Sequence, residues 1–217
     1  MKPKVLIADD HVLVAEGIQK LLESEVQLLD SVADGRALMK AVEELDPDVA
    51  VVDISLPLLN GLDATRQIKK SHPNLKVVIL TMHAEPNYVA EAFRIGVAGY
   101  VLKQSLSSEL LQAIREVMKG NVFVSPTIAQ GLVDRAVNPS HESAEASAGF
   151  ETPLSPRQRE VLQLVAEGRS TKEIASILDV SIKTIEFHKT RIMKELGLRT
   201  TAELTKYAIA HGLIPLR

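Results

Sequence analysis

The sequence predicts an α/β fold, a doubly wound five-stranded parallel sheet, followed by a second, smaller all-α domain. Three observations support this fold class. Short aliphatic runs alternate with amphipathic stretches over residues 1–122, a polar segment of small and breaker residues follows, and helical periodicity alone is found after it. We therefore expect domains at 1–122 and 152–217, joined by a linker at 123–151 that contains a short helix at Thr127–Val137.

The predicted strands are apolar at both alternations, as expected for strands that are covered on both faces. They are Lys4–Ala8, Gln27–Ala33, Asp48–Val52, Lys76–Leu80 and Gly99–Leu102. Between the strands, apolar residues recur at helical spacing. The predicted helices are Val12–Glu23, Gly35–Leu45, Leu62–His72, Asn87–Ile95 and Ser107–Lys119. Right-handed crossovers between parallel strands then place helices on both faces of the sheet.

Composition excludes several classes of protein. Hydrophobic residues make up 46% and charged residues 24% of the chain, which is typical of a globular protein. Because there is no cysteine, a disulfide scaffold, an iron–sulfur or thiolate zinc site and cysteine catalysis are excluded. No apolar run reaches the roughly 18 residues of a membrane span, and the N-terminus MKPKVLIADD is unlike a signal peptide. We expect a cytoplasmic protein with no membrane partner.

The net charge of −3 is unevenly distributed along the chain. Residues 1–124 hold 13 Lys and Arg against 17 Asp and Glu, whereas residues 152–217 hold 11 against 7. A basic C-terminal region on an acidic chain suggests that nucleic acid binds there. A merely solvated basic face remains the alternative.

Polar residues follow four of the predicted strands. Asp9 and Asp10 come after the first strand, Asp53 after the third, Thr81 after the fourth and Lys103 after the fifth. The carboxyl ends of parallel strands share one edge of the sheet, where ligands bind. Gathered carboxylates favour a hard cation such as Mg²⁺, which accepts phosphate oxygens as well. A carboxylate, a metal, a hydroxyl and an amine are the groups needed to form an acyl phosphate on an aspartate.

Residues 3–120 resemble the receiver domain of bacterial two-component response regulators, through the motifs ADDH, VVDISLPLLNG, LTMHA and GYVLK. The resemblance implies a flavodoxin-like fold and a histidine kinase partner that phosphorylates Asp53. It also implies that Asp10, Asp53 and the Ser55 carbonyl bind Mg²⁺, with Asp9 acting largely through water. Thr81 and Lys103 would stabilise the phosphoryl group, and Tyr100 would turn inward, although simple packing is an alternative for Tyr100.

Two residues depart from the receiver pattern. Gln104 follows Lys103 where the family often has proline in a cis bond, so that bond is open to question. Met82 is bulky where small residues are frequent after the threonine. We expect Met82 to crowd water and to slow dephosphorylation.

The segment after Leu154 predicts a helix-turn-helix. Ser155 precedes Pro156, Ser170 with Glu173 fits a capping box, Ser181 starts the next helix, and Gly197 ends it. Two helices of about eight and fourteen residues joined by three residues are typical of this motif. In the second helix we expect the core to receive Ile182, Ile185, Ile192 and Leu196.

The other side of that helix carries positive charge and the aromatic residue Phe187, as a helix lying in a major groove would. An amphipathic helix with a solvated face remains the alternative. For His188, a phosphate contact and a structural hydrogen bond are equally open. The candidate DNA-binding residues are Lys183, Thr184, Glu186, Phe187, His188, Lys189, Thr190, Arg191 and Lys194.

Residues 152–216 resemble the LuxR/FixJ-type DNA-binding domain, and together with the receiver they resemble the NarL/FixJ class of response regulators. This implies double-stranded DNA as partner and a homodimer when phosphorylated or on DNA. Glu186 departs from the pattern, since an acid repels phosphate but accepts a hydrogen bond from cytosine N4. The last predicted helix, Ala202–His211, would supply the dimer contact, and packing beneath the recognition helix is a compatible second role.

We interpret the chain as a phosphorylation-switched transcription factor that is not a turnover enzyme. Our hypothesis is that the resting receiver covers or misorients the helix at Lys183–Lys194. Three alternatives remain. The first is a phosphatase with an aspartate nucleophile, although such sites usually place a D-x-D pair at the first strand. The others are a module that binds a protein partner and a DNA-binding protein without phosphorylation.

Overall fold

A parallel sheet organises the first part of this computed structural model, which describes residues 2–137 and 153–214. The strands are β1 (Lys4–Ala8), β2 (Gln27–Val32), β3 (Val49–Val52), β4 (Lys76–Thr81), β5 (Gly99–Leu102) and β6 (Phe123–Val124). They lie in the order β2-β1-β3-β4-β5-β6, and all neighbours are parallel. The order reverses at β1 and β3, so the carboxyl ends of these two strands flank the crevice where such sheets bind ligands.

The predicted fold class is confirmed, but the predicted count of five strands is wrong. The sixth strand, Phe123–Val124, pairs with Gly99 and Tyr100 of β5. Two residues are too few to show the alternation by which a strand is recognised in a sequence. This short strand lies at the edge of the sheet, directly after the helix that returns the chain from β5.

Helices cover both faces of the sheet. They are α1 (Val12–Leu22), α2 (Gly35–Leu45), α3 (Gly61–Ser71), α4 (Pro86–Arg94) and α5 (Leu106–Met118), with α6 (Pro126–Val137) after β6. On one face Ile18 of α1 and Ile114 of α5 pack against Val5 and Val51, and on the other Leu38 of α2 and Ile68 of α3 pack against Leu6. The sheet is therefore doubly wound, and its strands are buried on both faces as the apolar runs predicted.

Four helices form the C-terminal part: α7 (Pro156–Ala166), α8 (Thr171–Ile177), α9 (Ile182–Leu196) and α10 (Thr201–Ala210). Ser155, Ser170 and Ser181 cap their helices as predicted, and Gly197 ends α9 with a φ of +67°. These helices share a third apolar core.

One residue predicted for that core lies elsewhere. Ile185 and Ile192 are fully buried, but Ile182 is 47% exposed. Ile182 is the first residue of α9, where the helix has not yet reached the core.

The predicted linker, 123–151, is described as far as Val137 and contains β6 and α6 there, while its residues 138–151 lie outside the described residues. The domain boundaries after 122 and before 152 stay predictions. None of the peptide bonds described is cis, so the bond after Lys103 is trans. Within residues 2–137 and 153–214, no helix combines the length and the apolar character that crossing a membrane requires.

Candidate functional site: an acidic pocket and a basic helix

Two carboxylates lie side by side at the carboxyl edge of the sheet because their strands are neighbours. Asp9 follows β1 and Asp53 follows β3, and the backbone N–H of Asp53 donates to the carbonyl of Ala8 at 2.9 Å. Asp9 is 4% exposed and Asp53 3%. Charged groups buried this deeply require a counter-charge.

Lys103 supplies that counter-charge from the end of β5. Its Nζ lies 2.7 Å from Asp9 Oδ2 and 2.8 Å from Asp53 Oδ2. Burial by itself lowers the pKa of Lys103, but the two carboxylates outweigh burial and the pKa is raised. Burial raises the pKa of Asp53, with Lys103 acting in the opposite direction. The amine therefore stays protonated between the two acids.

A cluster of oxygen and nitrogen atoms suited to a cation surrounds Asp53. Asp9, Asp10, His11 and Asp53 each offer a ligand atom, and these atoms lie within 4.8 Å of one another. The sequence reasoning gave His11 no role, although it follows the two aspartates directly. Its Nδ1 lies 3.1 Å from Asp9 Oδ1 and 2.9 Å from Asp10 Oδ1, so the imidazole orients both carboxylates.

The loop after Asp53 folds back onto the aspartate. The N–H of Ser55 donates to Asp53 Oδ1 at 3.3 Å, and the N–H of Gly61 donates to the carbonyl of Ile54 at 2.9 Å. A Cβ at position 61 would overlap the Asp53 carbonyl, so this close approach requires glycine. Ser55 therefore lies beside the carboxylate, and the use of its carbonyl as a metal ligand stays a prediction.

Thr81 and Tyr100 both bond the backbone of His83. Thr81 is fully buried, and its Oγ1 accepts the N–H of His83 at 3.2 Å. Tyr100 is also fully buried, and its hydroxyl donates to the His83 carbonyl at 2.9 Å. Tyr100 thus points inward, and the β4–α4 loop joins the two predicted switch residues. Sequence reasoning missed His83 because its contribution is made by backbone atoms.

The candidate DNA-binding residues all lie on one helix, α9. Phe187 is 60% exposed, an unusual position for a large aromatic side chain. The Thr190 hydroxyl donates to the Glu186 carbonyl at 2.9 Å, and Arg191 Nε donates to Glu195 at 3.0 Å. Thr184, His188 and Lys189 are half-buried, whereas the exposed members are Lys183, Glu186, Phe187, Thr190, Arg191 and Lys194.

His188 lies at the inner border of this face. Burial lowers its pKa, and the cations Arg157 and Arg191 lower it further. Its Nδ1 is buried without a hydrogen-bond partner, and both roles considered for His188 stay predictions.

The receiver region contacts the C-terminal helices mainly through α7, and the outer face of α9 is exposed. Gln163 of α7 bonds the backbone of Leu56 and Asn60, and Arg159 forms an ion pair with Asp63. Arg36 of α2 lies 3.2 Å from Glu160. The hypothesis that the receiver covers the recognition helix is therefore wrong for this arrangement, and misorientation stays a prediction.

The final helix, α10, packs on α7 through Leu204 and Ala208, which are fully buried. The helix therefore has a packing role, but its main partner is α7, whereas the prediction was packing beneath the recognition helix, α9. Its outer residues, such as Glu203 and Lys206, are exposed. The dimer contact expected of this helix stays a prediction.

Two family models match the chain. One, described as the response regulator receiver domain, covers residues 5–115, and the other, described as bacterial regulatory proteins of the luxR family, covers residues 152–208. The oxygen regulatory protein NreC of Staphylococcus carnosus is 37% identical over 214 residues, 97% of this chain and 99% of the relative. NreC of Staphylococcus aureus strain bovine RF122 / ET3-1 is 40% identical over 215 residues, 97% and 99% of the two chains.

Solved structures of a full-length regulator are similar as well. The RcsB–DNA complex shares 31% identity with a TM-score of 0.58, covering 97% of this chain and 99% of RcsB. RcsB from Salmonella enterica serovar Typhimurium, bound to promoter P1flhDC in the presence of the phosphomimetic BeF3−, shares 32% identity with a TM-score of 0.59, covering 95% and 98%.

Proposed function

This chain belongs to the two-component response regulators that combine a receiver domain with a LuxR-type DNA-binding domain, and we propose that Asp53 is the phosphoacceptor that controls its binding to DNA. It is a phosphorylation-dependent, sequence-specific DNA-binding transcription factor. One observation carries the assignment of Asp53: its carboxylate is buried at the switch point of the sheet, with Lys103 Nζ at 2.8 Å and three further potential ligand groups around it.

Phosphoryl transfer to Asp53 makes use of positioned charges. A carboxylate oxygen of Asp53 attacks phosphorus in line, a P–O bond forms, and the bond to the histidine of a kinase breaks. Lys103 Nζ, which bonds Asp53 in this structure, then balances the negative charge of the phosphoryl oxygens. Thr81 supplies a hydroxyl donor, and Tyr100 moves with it through the backbone of His83 that both contact.

Mg²⁺ is the cofactor that we propose for this pocket. The donor set fits, because three carboxylates with oxygens within 4.8 Å of one another are hard ligands. Asp10, Asp53 and the Ser55 carbonyl would hold the ion, with Asp9 acting largely through water and His11 orienting the acids. When bound, the ion neutralises charge on the phosphoryl group.

The partners follow from this assignment. We propose a histidine kinase as phosphodonor and double-stranded DNA as the ligand of α9, with a homodimer forming on phosphorylation or on DNA. The RcsB structures on DNA support the DNA ligand and a dimer on DNA. We propose that Asp53 acts as a phosphoacceptor and not as the nucleophile of a turnover enzyme.

The test compares wild type with Asp53→Ala, using acetyl phosphate as donor and phosphate-affinity electrophoresis as readout. We expect a shifted band in wild type that is absent in the variant. Wild type with beryllofluoride should bind genomic fragments at least several-fold more tightly, whereas the variant should not respond.

The matched control is Asp30→Ala, which removes an exposed acid on β2. It should behave like wild type in both assays. A shifted band that persists in Asp53→Ala would contradict the phosphoacceptor, and multiple turnovers of phosphate release would favour a phosphatase instead.

A further inference from the structure

The loop that follows Asp53 is attached to the phosphoacceptor at both ends. We call residues 54–60 the phosphoacceptor loop. At its start the N–H of Ser55 donates to Asp53 Oδ1, and at its end Gly61 closes onto Ile54 and the Asp53 backbone. Movement of this loop therefore changes the hydrogen bonding and the position of the Asp53 carboxylate.

Two side chains, Gln163 of α7 and Glu167 directly after that helix, hold the loop although they are about 100 residues away in the chain. Gln163 Oε1 accepts the N–H of Asn60 at 2.8 Å, and its Nε2 donates to the carbonyl of Leu56 at 3.0 Å. Glu167 Oε1 accepts the N–H of Leu58 at 3.0 Å. We call Gln163 and Glu167 the α7 clamp. Gln163 is 1% exposed, so its bonds do not compete with water.

The clamped loop contains a backbone conformation that is rare for its residue type. Leu58 has a φ of +66°, in the left-handed region that leucine rarely adopts. Its N–H bonds Glu167 and its side chain packs against the core of the C-terminal helices. A cavity of about 330 Å³ lies between the loop and the C-terminal helices, lined by Ser55, Pro57, Thr205 and Ile209 among others. The loop therefore has space to move once it is released.

We infer that Gln163 and Glu167 are positioning residues for phosphoryl transfer to Asp53: by clamping the phosphoacceptor loop, the DNA-binding region holds the arrangement that suits the unphosphorylated carboxylate. This inference rests on the proposed function. Both oxygens of Asp53 are engaged in this structure, one by Ser55 and the other by Lys103. In an acyl phosphate one of them becomes the bridging oxygen of a mixed anhydride and the other an uncharged carbonyl oxygen, and a charged phosphoryl group is added, so these bonds must be remade.

Linkage fixes the direction of the effect. If phosphorylation weakens the hold of the clamp, then the clamp must disfavour phosphorylation by the same factor. Releasing the loop therefore makes Asp53 easier to phosphorylate. In the test reaction the phosphoryl group of acetyl phosphate moves to an Asp53 oxygen, one P–O bond forms, another breaks, and acetate leaves.

The first test is Gln163→Ala in the full chain. We expect the loop to rearrange before Asp53 attacks phosphorus, so acetyl phosphate and Mg²⁺ should phosphorylate this variant about fivefold faster than wild type, the lower end of a typical coupling factor. The control is Gln158→Ala, which removes a second buried amide from the same helix, one that bonds the N–H of Ser155 and the Glu195 carboxylate and so stays within the C-terminal region. Its rate should equal that of wild type.

A pair of glycines provides a second test that leaves the clamp residues intact. A Cβ at Gly212 would overlap the hydroxyl of Tyr88 on α4, at the other end of the contact between the two regions. Gly197 has nearly the same φ, +67° against +66°, with nothing within 4 Å of its Cβ position. Both alanine variants carry the same backbone strain. If Gly212→Ala is phosphorylated faster and Gly197→Ala is not, the cause is the lost contact between the two regions.

Hydrogen exchange separates positioning from general destabilisation. The amides of Leu58 and Asn60 bond the α7 clamp, so Gln163→Ala should expose Asn60 to exchange while amides of the α9 core remain protected. Wild type with beryllofluoride should lose the same protection.

Equal phosphorylation rates in wild type, Gln163→Ala and Gly212→Ala would overturn this inference, and so would unchanged protection with beryllofluoride. Failure of the proposed function looks different, because Asp53 would then not be phosphorylated in any of these proteins.

Discussion

At the scale of single residues, Lys103 determines how the acidic pocket is held together. Its amine bridges Asp9 and Asp53, two carboxylates that would otherwise be buried beside each other. Removing one member of such a group leaves uncompensated charge in a site with little water. The same amine is then in place when a phosphoryl group adds negative charge. The stability of the folded pocket and phosphoryl transfer to Asp53 therefore both depend on Lys103.

Met82 follows Thr81 directly and is 71% exposed, which places a flexible apolar side chain at the border of the acidic pocket. We predict that Met82→Ala shortens the lifetime of the acyl phosphate several-fold, because a smaller side chain admits water to the phosphorus. Decay of the phosphorylated band after removal of acetyl phosphate measures this lifetime. Met118→Ala, which removes a 43% exposed methionine at the end of α5, is the control. Equal lifetimes in all three proteins would contradict the prediction.

Asp63 predicts a pH dependence of stability. It is 5% exposed on α3 and forms ion pairs with Arg66 and Arg159. Burial raises its pKa from 3.8 to about 6, although Arg66 and Asn60 act in the opposite direction. Because the folded state binds this proton more tightly than the unfolded state, the free energy of unfolding falls as pH rises from about 4 to about 6.

The measurement is urea unfolding of wild type and Asp63→Asn between pH 4 and 7. Asparagine does not titrate, so the stability of wild type relative to the variant should fall by up to about 3 kcal/mol over this range. Other titrating groups cancel in the difference. A difference that does not change with pH would show that Asp63 is not the responsible group.

At the scale of elements, sequence patterns predicted the helices and five of the strands of the receiver region, and missed one two-residue strand. Helix α2 has the predicted bounds, Gly35–Leu45, because Asp34 caps its start with two backbone hydrogen bonds. The strand Phe123–Val124 was missed because its two residues are defined by their pairing with β5 alone. The face of α9 was predicted correctly for Ile185 and Ile192 and wrongly for Ile182, since a helix reaches its core only after its first residue.

The candidate site was predictable where the sheet sets the geometry. Asp9, Asp53 and Lys103 come together because parallel strands end at one edge, and a sequence records where strands end. The roles of His83 and Gln163 were not predictable. His83 contributes its backbone, and Gln163 contacts residues more than 100 positions away. Neither kind of contact leaves a pattern of residue types in the sequence.

At the scale of the whole molecule, the receiver region and the C-terminal helices share a contact that leaves the basic helix accessible. Arg36, Asp63 and the phosphoacceptor loop contact α7, while Phe187 and Lys183 on α9 are exposed. In a regulator built in this way, contact between the two regions controls DNA binding through its effect on the phosphoacceptor loop and on dimer formation. Direct blocking of the DNA-reading face is not needed for such control.

The cations of α9 predict a steep salt dependence of DNA affinity. If Lys183, Lys189, Arg191 and Lys194 each neutralise a phosphate, the logarithm of the association constant falls with the logarithm of salt concentration at a slope near −0.9 per contact. Lys183→Ala should therefore weaken binding to all sequences and reduce the slope by about one unit for each protomer. Titrations at several salt concentrations measure both quantities.

Two controls separate charge from sequence recognition. Lys40→Ala removes an exposed lysine on α2, far from α9 in the chain, and should change neither affinity nor slope. Phe187→Ala should weaken binding to the preferred site and leave the slope unchanged, because apolar contact with a thymine methyl releases no counterions. An unchanged slope in Lys183→Ala would mean that α9 meets the DNA on another face. A lysine that contacts a DNA phosphate displaces a counterion, so the removal of such a lysine must reduce the slope.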